Sequence, residues 1–292
     1  MTNKPIVVIT GANGFLGTAL TKHFTAKGWQ VRGLVRTVPE KSPKNIQYFA
    51  YDLEGAVPAE AFKGADYLVH TAYVKFNPKN QNALKVNVTA AKRLLKVADA
   101  NKLKKKLFMS TMSAHKEAES VYGKQKLQIE KLFSDRKSVV IRSGLILGNG
   151  GIVKDMADFM KSKHAVPLVG GGKQPLQVIG NYDLCRVVEI LLVGKLSGLF
   201  TVATPTVYTY KEFYKALAKQ INTPVVFVPL PFFALIGAIK TIRFLHLPLN
   251  VSEDNALGLK QLRSAETAPD LKKIGVQLDD LETVLKKPGI IK

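Results

Sequence analysis

Three glycines spaced three residues apart, between a β-branched run and a helical apolar pattern, constrain this chain more than any other feature. Ile6-Val7-Val8-Ile9 has the composition of a strand buried on both faces, and Leu16, Ala19, Leu20 and Phe24 then recur at helical spacing. The segment Thr10-Gly11-Ala12-Asn13-Gly14-Phe15-Leu16-Gly17 therefore occupies a strand-to-helix turn. Gly11 suits the tight turn, Gly14 lets backbone approach an anion, and Gly17 lets helix and strand pack closely. A helix start adds unpaired N–H groups, so the turn reads as a cradle for the pyrophosphate of a dinucleotide.

The rest of the chain fits that beginning. Strand-like runs at Val31–Val35, Tyr67–His70, Leu107–Ser110 and Val139–Arg142 alternate with helical stretches such as Asn82–Ala100 and Tyr122–Phe133. Such alternation predicts an α/β fold, a doubly wound parallel Rossmann sheet with ligands at the carboxyl ends of its strands. After Gly148-Asn149-Gly150-Gly151 the rhythm becomes mixed, with helices at Tyr182–Val193 and Tyr210–Ile221 and a short strand at Leu199–Ala203. Residues 1–150 are thus expected to form the NAD(P)-binding domain. Residues 151–292 are expected to form a smaller, mixed substrate-binding portion, some segments of which return to the first domain.

Residues 225–251 are unusually apolar, from Val225-Val226-Phe227-Val228-Pro229-Leu230-Pro231 into Phe232-Phe233-Ala234-Leu235-Ile236. Two prolines and the nearby Lys240 and Arg243 exclude a membrane span. Core packing, a lid over an apolar substrate, and contact with a membrane surface stay open as readings. Phe159, Leu168, Phe232 and Phe233 suggest an apolar pocket wall, although ordinary core packing is the simpler reading of any one of them.

Lysine and arginine outnumber aspartate and glutamate 43 to 22, a formal charge of +21. Apart from Lys102-Leu103-Lys104-Lys105-Lys106 this excess is scattered along amphipathic helices, and no nucleic-acid motif accompanies it, so a solvated surface is expected and nucleic acid is not the expected partner. The single cysteine, Cys185, lies in an apolar helical pattern and reads as a core residue, with no disulfide and no metal cluster. Met1-Thr2-Asn3-Lys4-Pro5 runs directly into the first strand without a signal-peptide pattern, which makes a cytoplasmic location the expectation.

Cofactor preference follows from the end of the second strand. NAD-preferring proteins carry an acid there, about 20 residues beyond the glycines, to bind the ribose 2′-hydroxyl. Val31-Arg32-Gly33-Leu34-Val35-Arg36 has no carboxylate, and the Arg36 guanidinium suits a 2′-phosphate instead, so NADPH is expected over NADH. Asp52-Leu53, after the next strand, stands where a carboxylate could meet the adenine amino group.

Tyr122-Gly123-Lys124-Gln125-Lys126 puts a phenol and an ammonium four residues apart, on one helix face. A free phenol titrates near 10, and a neighbouring cation favours the phenolate that proton transfer requires. Ser110-Thr111-Met112-Ser113, ending the preceding strand, offers three hydroxyls to hold a substrate oxygen.

With these motifs the chain resembles the extended and atypical branch of the short-chain dehydrogenase/reductase superfamily, which includes nucleotide-sugar epimerases, dehydratases and related reductases. The resemblance covers nearly the whole chain and rests on Thr10–Gly17, Val69-His70-Thr71-Ala72, Asn87, Tyr122–Lys126, Arg142-Ser143-Gly144 and Asn181-Tyr182-Asp183-Leu184. It implies Tyr122 as general acid/base, Lys126 as ribose ligand and modulator of the phenol, and Thr111 as hydroxyl partner, with Ser113 or Ser110 as substitutes. It also implies cofactor contacts at Gly11, Asn13, Gly14, Phe15, Leu16, Gly17, Arg36, Asp52, Leu53, Thr71, Ala72 and Asn87, with His70 packing near the ribose. A helix-mediated homodimer is common in the superfamily.

Three departures narrow the chemistry. Met112-Ser113 replaces the acidic pair of the dehydratases, which argues against sugar dehydration. The Thr111-to-Tyr122 loop is short for a sugar epimerase. Ser143 stands where proline usually follows the sixth-strand arginine. The expected activity is NADP(H)-dependent hydride transfer between nicotinamide and the carbonyl or secondary alcohol of a small, apolar substrate. A sugar epimerase and a non-catalytic dinucleotide-binding sensor or accessory subunit are the alternatives.

Overall fold

The β-branched runs do form strands. A computed structural model describes residues 4–74, 82–135, 137–244 and 252–290, so Met1–Asn3 and the end of the apolar 225–251 stretch lie outside the described residues. In chain order the elements are β1 (Ile6–Thr10), α1 (Phe15–Ala26), β2 (Gln30–Val35), β3 (Ile46–Ala50), β4 (Tyr67–His70), α2 (Ala83–Ala100), β5 (Lys105–Thr111), α3 (Val121–Glu130) and β6 (Ser138–Ser143). There follow β7 (Leu145–Leu147), α4 (Gly151–Lys163), β8 (Ala165–Val169), β9 (Pro175–Leu176), β10 (Val178–Gly180), α5 (Asn181–Val193), β11 (Gly198–Val202), β12 (Tyr208–Thr209) and α6 (Tyr210–Gln220). The last are β13 (Val226–Leu230), α7 (Phe232–Phe244), α8 (Glu253–Lys260), α9 (Ala268–Ile274) and α10 (Leu281–Lys286).

Seven strands make one sheet in the order β11-β6-β5-β4-β1-β2-β3. The pairs β1·β2, β1·β4, β2·β3 and β4·β5 are parallel. The order reverses between β1 and β4, the switch point beside which ligands bind in open α/β sheets. Val7, Val8 and Ile9 are fully buried, as expected for a central parallel strand covered on both faces. Leu20 and Phe24 of α1 are likewise fully buried, which is the apolar stripe that carries the helix back onto the sheet.

The chain divides into two interleaved units. The first comprises Met1–Ser110, Gln125–Arg142 and Asn181–Phe200. The second comprises Thr111–Lys124, Ser143–Gly180 and Thr201–Lys292. This differs from a linear cut near residue 150: besides the return of α5 to the first unit, two short stretches before residue 150 belong to the second. Continuous elements cross the division, so no single linker marks it; α3 starts in one unit and ends in the other.

The core of the second unit gathers Leu147, Val153, Met160, Val166, Leu168, Phe213, Leu217, Leu281 and Leu285. Within this unit β13 pairs in parallel with β8. The apolar 225–251 stretch is therefore partly a strand, and one whose Val226 and Val228 remain 67% and 48% exposed. Among the described residues no helix is long and apolar enough to cross a membrane.

Candidate functional site

The glycine turn has the shape its sequence implies. Gly11 sits at φ +67°, and its amide donates to the Leu34 carbonyl at 2.8 Å, tying the turn to the end of β2. A Cβ on Gly17 would lie 2.0 Å from the Gly11 carbonyl oxygen, an overlap no side chain tolerates. Gly14 caps α1 with extended backbone and no capping side chain, and the first turn of α1 has no carboxylate. The turn thus presents the positive end of a helix dipole to an anion, with Asn13 and Gly14 exposed beside it and Phe15 and Leu16 half-buried. These features fit a dinucleotide pyrophosphate. Arg36, the first residue after β2, is exposed and makes no ion pair among the described residues, so its guanidinium is available to a phosphate.

Thr10 ties the glycine turn to the end of β4, a role the sequence reading missed. Its Oγ1 accepts the amides of Thr71 and Ala72, both at 3.1 Å, while the Thr71 hydroxyl donates to the Thr10 carbonyl at 2.6 Å. Two donors on Oγ1 leave the Thr10 hydroxyl hydrogen for His70 Nδ1, at 2.8 Å. His70 is then an acceptor at Nδ1 and neutral. Burial and the charge of Lys126 push its pKa down to about 3, and its ring lies 5.6 Å from Phe108 and 6.4 Å from Phe133. It is a packing and hydrogen-bonding residue, in keeping with its expected role.

Asn87 is also spent on the protein. Its Oδ1 accepts the Val74 amide and its Nδ2 donates to the Val74 carbonyl, both at 2.9 Å, so it clamps the chain leaving β4. Nδ2 also reaches Gln125 Oε1 at 3.3 Å, an oxygen that further accepts the Tyr73 hydroxyl. Gln125 Nε2 is buried with no hydrogen-bond partner among the described residues. Asp52 closes its own turn, its Oδ1 accepting the Glu54 amide at 3.0 Å. Leu53 is a core side chain, 6% exposed, and its carbonyl accepts from Arg93.

The catalytic candidates lie on β5 and α3. Ser110 turns into the first unit and donates to Glu130 Oε1 at 2.5 Å. Glu130 also receives a two-pronged bond from Arg142, Nε at 2.9 Å and Nη2 at 2.6 Å. That removes Ser110 from the three hydroxyl choices. Thr111, in the second unit, hydrogen-bonds the Tyr122 phenol through its side chain and accepts the Ser113 amide at 3.2 Å. The approach depends on Gly123, where a Cβ would come within 2.4 Å of the Ser113 carbonyl. Burial raises the phenol above its ordinary value and the Thr111 bond pulls it back down.

Lys126, one turn along α3, is 5% exposed. Its Nζ donates to the Met109 carbonyl at 2.7 Å and lies 4.8 Å from the Phe108 ring centroid and 5.1 Å from that of Tyr73. Desolvation lowers its pKa to about 8, against which Glu130, four residues on along the helix, supports the charged form. At neutral pH it is mostly protonated.

Three lysines of the basic run beyond this region are tied to groups of the first unit, Lys104 at its surface and Lys105 and Lys106 buried. Lys104 pairs with Asp66 at 2.7 Å, Lys106 with Asp99 at 2.6 Å and with Asp135, and Lys105 Nζ donates to the carbonyls of Leu191, Gly194 and Leu196. Cys185 is buried, its thiol pushed up to about 12 by desolvation. The proposed apolar wall separates: Leu168 is core at 4% exposure, Phe159 is exposed, and Phe232 and Phe233 line a groove with Ile236, Ala256, Leu257 and Lys260 in the second unit.

Comparison with known proteins extends these observations. The model of the NAD dependent epimerase/dehydratase family matches residues 7–192. Uncharacterized protein Rv2047c of Mycobacterium tuberculosis is 25% identical over 229 residues, 75% of this chain and 24% of that protein, so the chain spans about a quarter of that relative's length. Epimerase family protein YfhF of Bacillus subtilis is 24% identical over 267 residues, 80% of this chain and 85% of the relative. The crystal structure of human epimerase family protein SDR39U1 with NADPH has a TM-score of 0.76 at 19% identity, covering 96% of this chain and 98% of that one, a likeness of fold.

Proposed function

Since this chain belongs to the NAD dependent epimerase/dehydratase family, we propose that it is an NADP(H)-dependent oxidoreductase acting on the carbonyl or secondary alcohol of a small, apolar substrate. The carrying observation is the Tyr122 phenol hydrogen-bonded to Thr111, one helical turn from a buried, mostly protonated Lys126. A bound nicotinamide dinucleotide would supply hydride transfer. Gly11, Asn13, Gly14, Phe15, Leu16 and Gly17 would hold its pyrophosphate, Arg36 its 2′-phosphate, and Thr71, Ala72 and Lys126 its nicotinamide ribose region.

The residues of the chain handle the proton. Tyr122 gives a proton to the substrate oxygen in reduction and removes it in oxidation, while Thr111 holds that oxygen through its hydroxyl. The Thr111 hydrogen bond favours the phenolate form that oxidation needs, by pulling the phenol down against its burial. The groove lined by Phe232, Phe233, Ile236 and Leu257 supports an apolar substrate. An epimerase using the same phenol for a transient oxidation is the second reading, favoured by family membership.

Parallel fluorescence titrations with NADPH and NADH, followed by turnover on an apolar diketone such as phenanthrenequinone, test the proposal. The expected result is tighter NADPH binding, net NADPH consumption, and a loss of turnover on the order of 10²–10⁴-fold in Tyr122→Phe with binding retained. Binding without turnover across a broad carbonyl panel would favour the sensor reading. Stereochemical inversion without net cofactor change would favour the epimerase. Binding of neither dinucleotide would sink all three.

A further inference from the structure

A helix leaves its first four amides without partners inside itself. In α3, which begins one residue before Tyr122, all four are satisfied, and two of them from a distant part of the sequence. The Val121 amide donates to Asp254 Oδ1 at 2.5 Å, and the Tyr122 amide donates to Asp254 Oδ2 at 3.3 Å. The Gly123 amide donates to Ser120 Oγ at 3.2 Å, and the Lys124 amide to the Ser120 carbonyl at 3.1 Å.

Asp254 is itself held in place. It is the second residue of α8, whose start is closed by reciprocal bonds between Ser252 and Asn255. Two further contacts fasten the chain leading to Tyr122 onto the residues around α8. The Glu119 amide donates to Gln261 Oε1 at 2.5 Å, and Arg263 pairs with Glu117 at 3.2 Å. The carboxylate also places negative charge at the positive end of α3, which favours the contact electrostatically. Every one of these groups belongs to the second unit, as do Thr111 and Tyr122.

We propose that Asp254 is a positioning residue for Tyr122, seating the first turn of α3 so that the phenol keeps its hydrogen bond to Thr111. The inference rests on the reading of Tyr122 as the acid/base. Asp254 touches the backbone of the acting residue, not the reacting atoms. Its loss releases the first turn of α3, and misplacement of a reacting group by about 1 Å costs up to about a hundredfold in rate. An asparagine in its place would keep a side-chain oxygen for the Val121 amide, whereas an alanine would keep neither acceptor.

The test compares Asp254→Ala and Asp254→Asn in the full chain, with Tyr122→Phe as reference. Measured are NADPH affinity, kcat and KM on phenanthrenequinone, and the spectrophotometric titration of the Tyr122 phenol, isolated by subtracting the Tyr122→Phe curve. In Asp254→Ala the expected result is a fall in kcat of about tenfold or more. KM and NADPH affinity stay within about twofold, since the glycine turn is built from other elements. The phenol titrates at higher pH, because the Thr111 bond that holds it down is weakened. Asp254→Asn recovers most of both losses and remains informative if the alanine variant fails to fold. Wild-type kcat and phenol titration in Asp254→Ala, with Tyr122→Phe inactive, would overturn the positioning role alone, as would a loss that asparagine leaves unrestored. Full turnover in Tyr122→Phe would instead remove the reading on which the proposal rests.

Discussion

The two units bury different kinds of polar group. Among the described residues, His70, Lys105, Lys106, Lys126, Glu130 and Asp183 are all buried, and all belong to the first unit. The buried polar side chains of the second unit are neutral: Ser120, Ser143, Gln174, Gln177, Thr204 and Thr267. A buried charge is costly unless it is paired and hydrogen-bonded, and the first unit meets that cost with Glu130–Arg142, Lys106–Asp99–Asp135 and the three carbonyls around Lys105. Neutral groups cost less to bury and do not titrate. The difference teaches that the stability of the first unit is tied to pH and to particular ion partners, whereas that of the second follows apolar packing and caps.

The largest effect that could break this comparison comes from Glu130→Ala. It would strand the Arg142 guanidinium and the Ser110 hydroxyl together, and removing one member of a buried pair costs about 3–5 kcal/mol. Urea denaturation should show that loss, and a change below about 1 kcal/mol would mean that solvent already screens the pair.

Somewhat smaller is the alkaline response of Lys126. Its folded pKa of about 8 lies below its ordinary 10.5, so between those values the unfolded chain holds more protons and stability rises with pH. The cost of burying the ammonium is present in full below about pH 8 and is relieved toward 10.5, a change on the order of 3 kcal/mol. Lys126→Met should flatten this rise relative to the wild type. Identical pH–stability curves for the two proteins would contradict it.

Gly17→Ala sharpens the comparison by perturbing the first unit through shape alone. Its Cβ would overlap the Gly11 carbonyl, and the forced shift should cost about 1–3 kcal/mol with a parallel loss of NADPH affinity. Calorimetric titration checks this, and wild-type affinity would show that the turn yields.

The smallest effect is expected in the second unit. Phe233 is 80% exposed, so Phe233→Glu should change stability by no more than about 0.5 kcal/mol. Co-sedimentation of the wild type with anionic liposomes, lost in this variant, would establish membrane-surface contact through α7. Equal behaviour of both proteins would remove that reading.

Much of the first unit was legible because its signals are local. The strand at Tyr67–His70 coincides with β4, Tyr182–Val193 falls within α5, and the glycines lie where the turn needs them. The tyrosine and lysine spacing was equally plain, since four residues on a helix define one face. The choice among Ser110, Thr111 and Ser113 was not, because it depends on which way β5 twists each hydroxyl, and Glu130 claims Ser110 from twenty residues away. Phe159 and Leu168 looked alike as apolar residues, yet only Leu168 entered the core.

Hydrophobic period, turn glycines and the spacing of Tyr122 and Lys126 thus determined from sequence alone the doubly wound sheet, the glycine turn between its first strand and helix, and the identity of the acid/base candidate. These depend on neighbours within a few residues, or on one strand followed by one helix. Tertiary structure alone decided that Lys104 and Lys106 pair with carboxylates of the first unit and Lys105 with its backbone carbonyls, that Asn87 and Thr10 fasten the loops around the glycine turn, and that the amide of Tyr122 is held by Asp254. Each of those outcomes pairs groups that lie well apart in the sequence, and a partner at such a distance is set by how the chain folds back on itself, which local pattern does not encode.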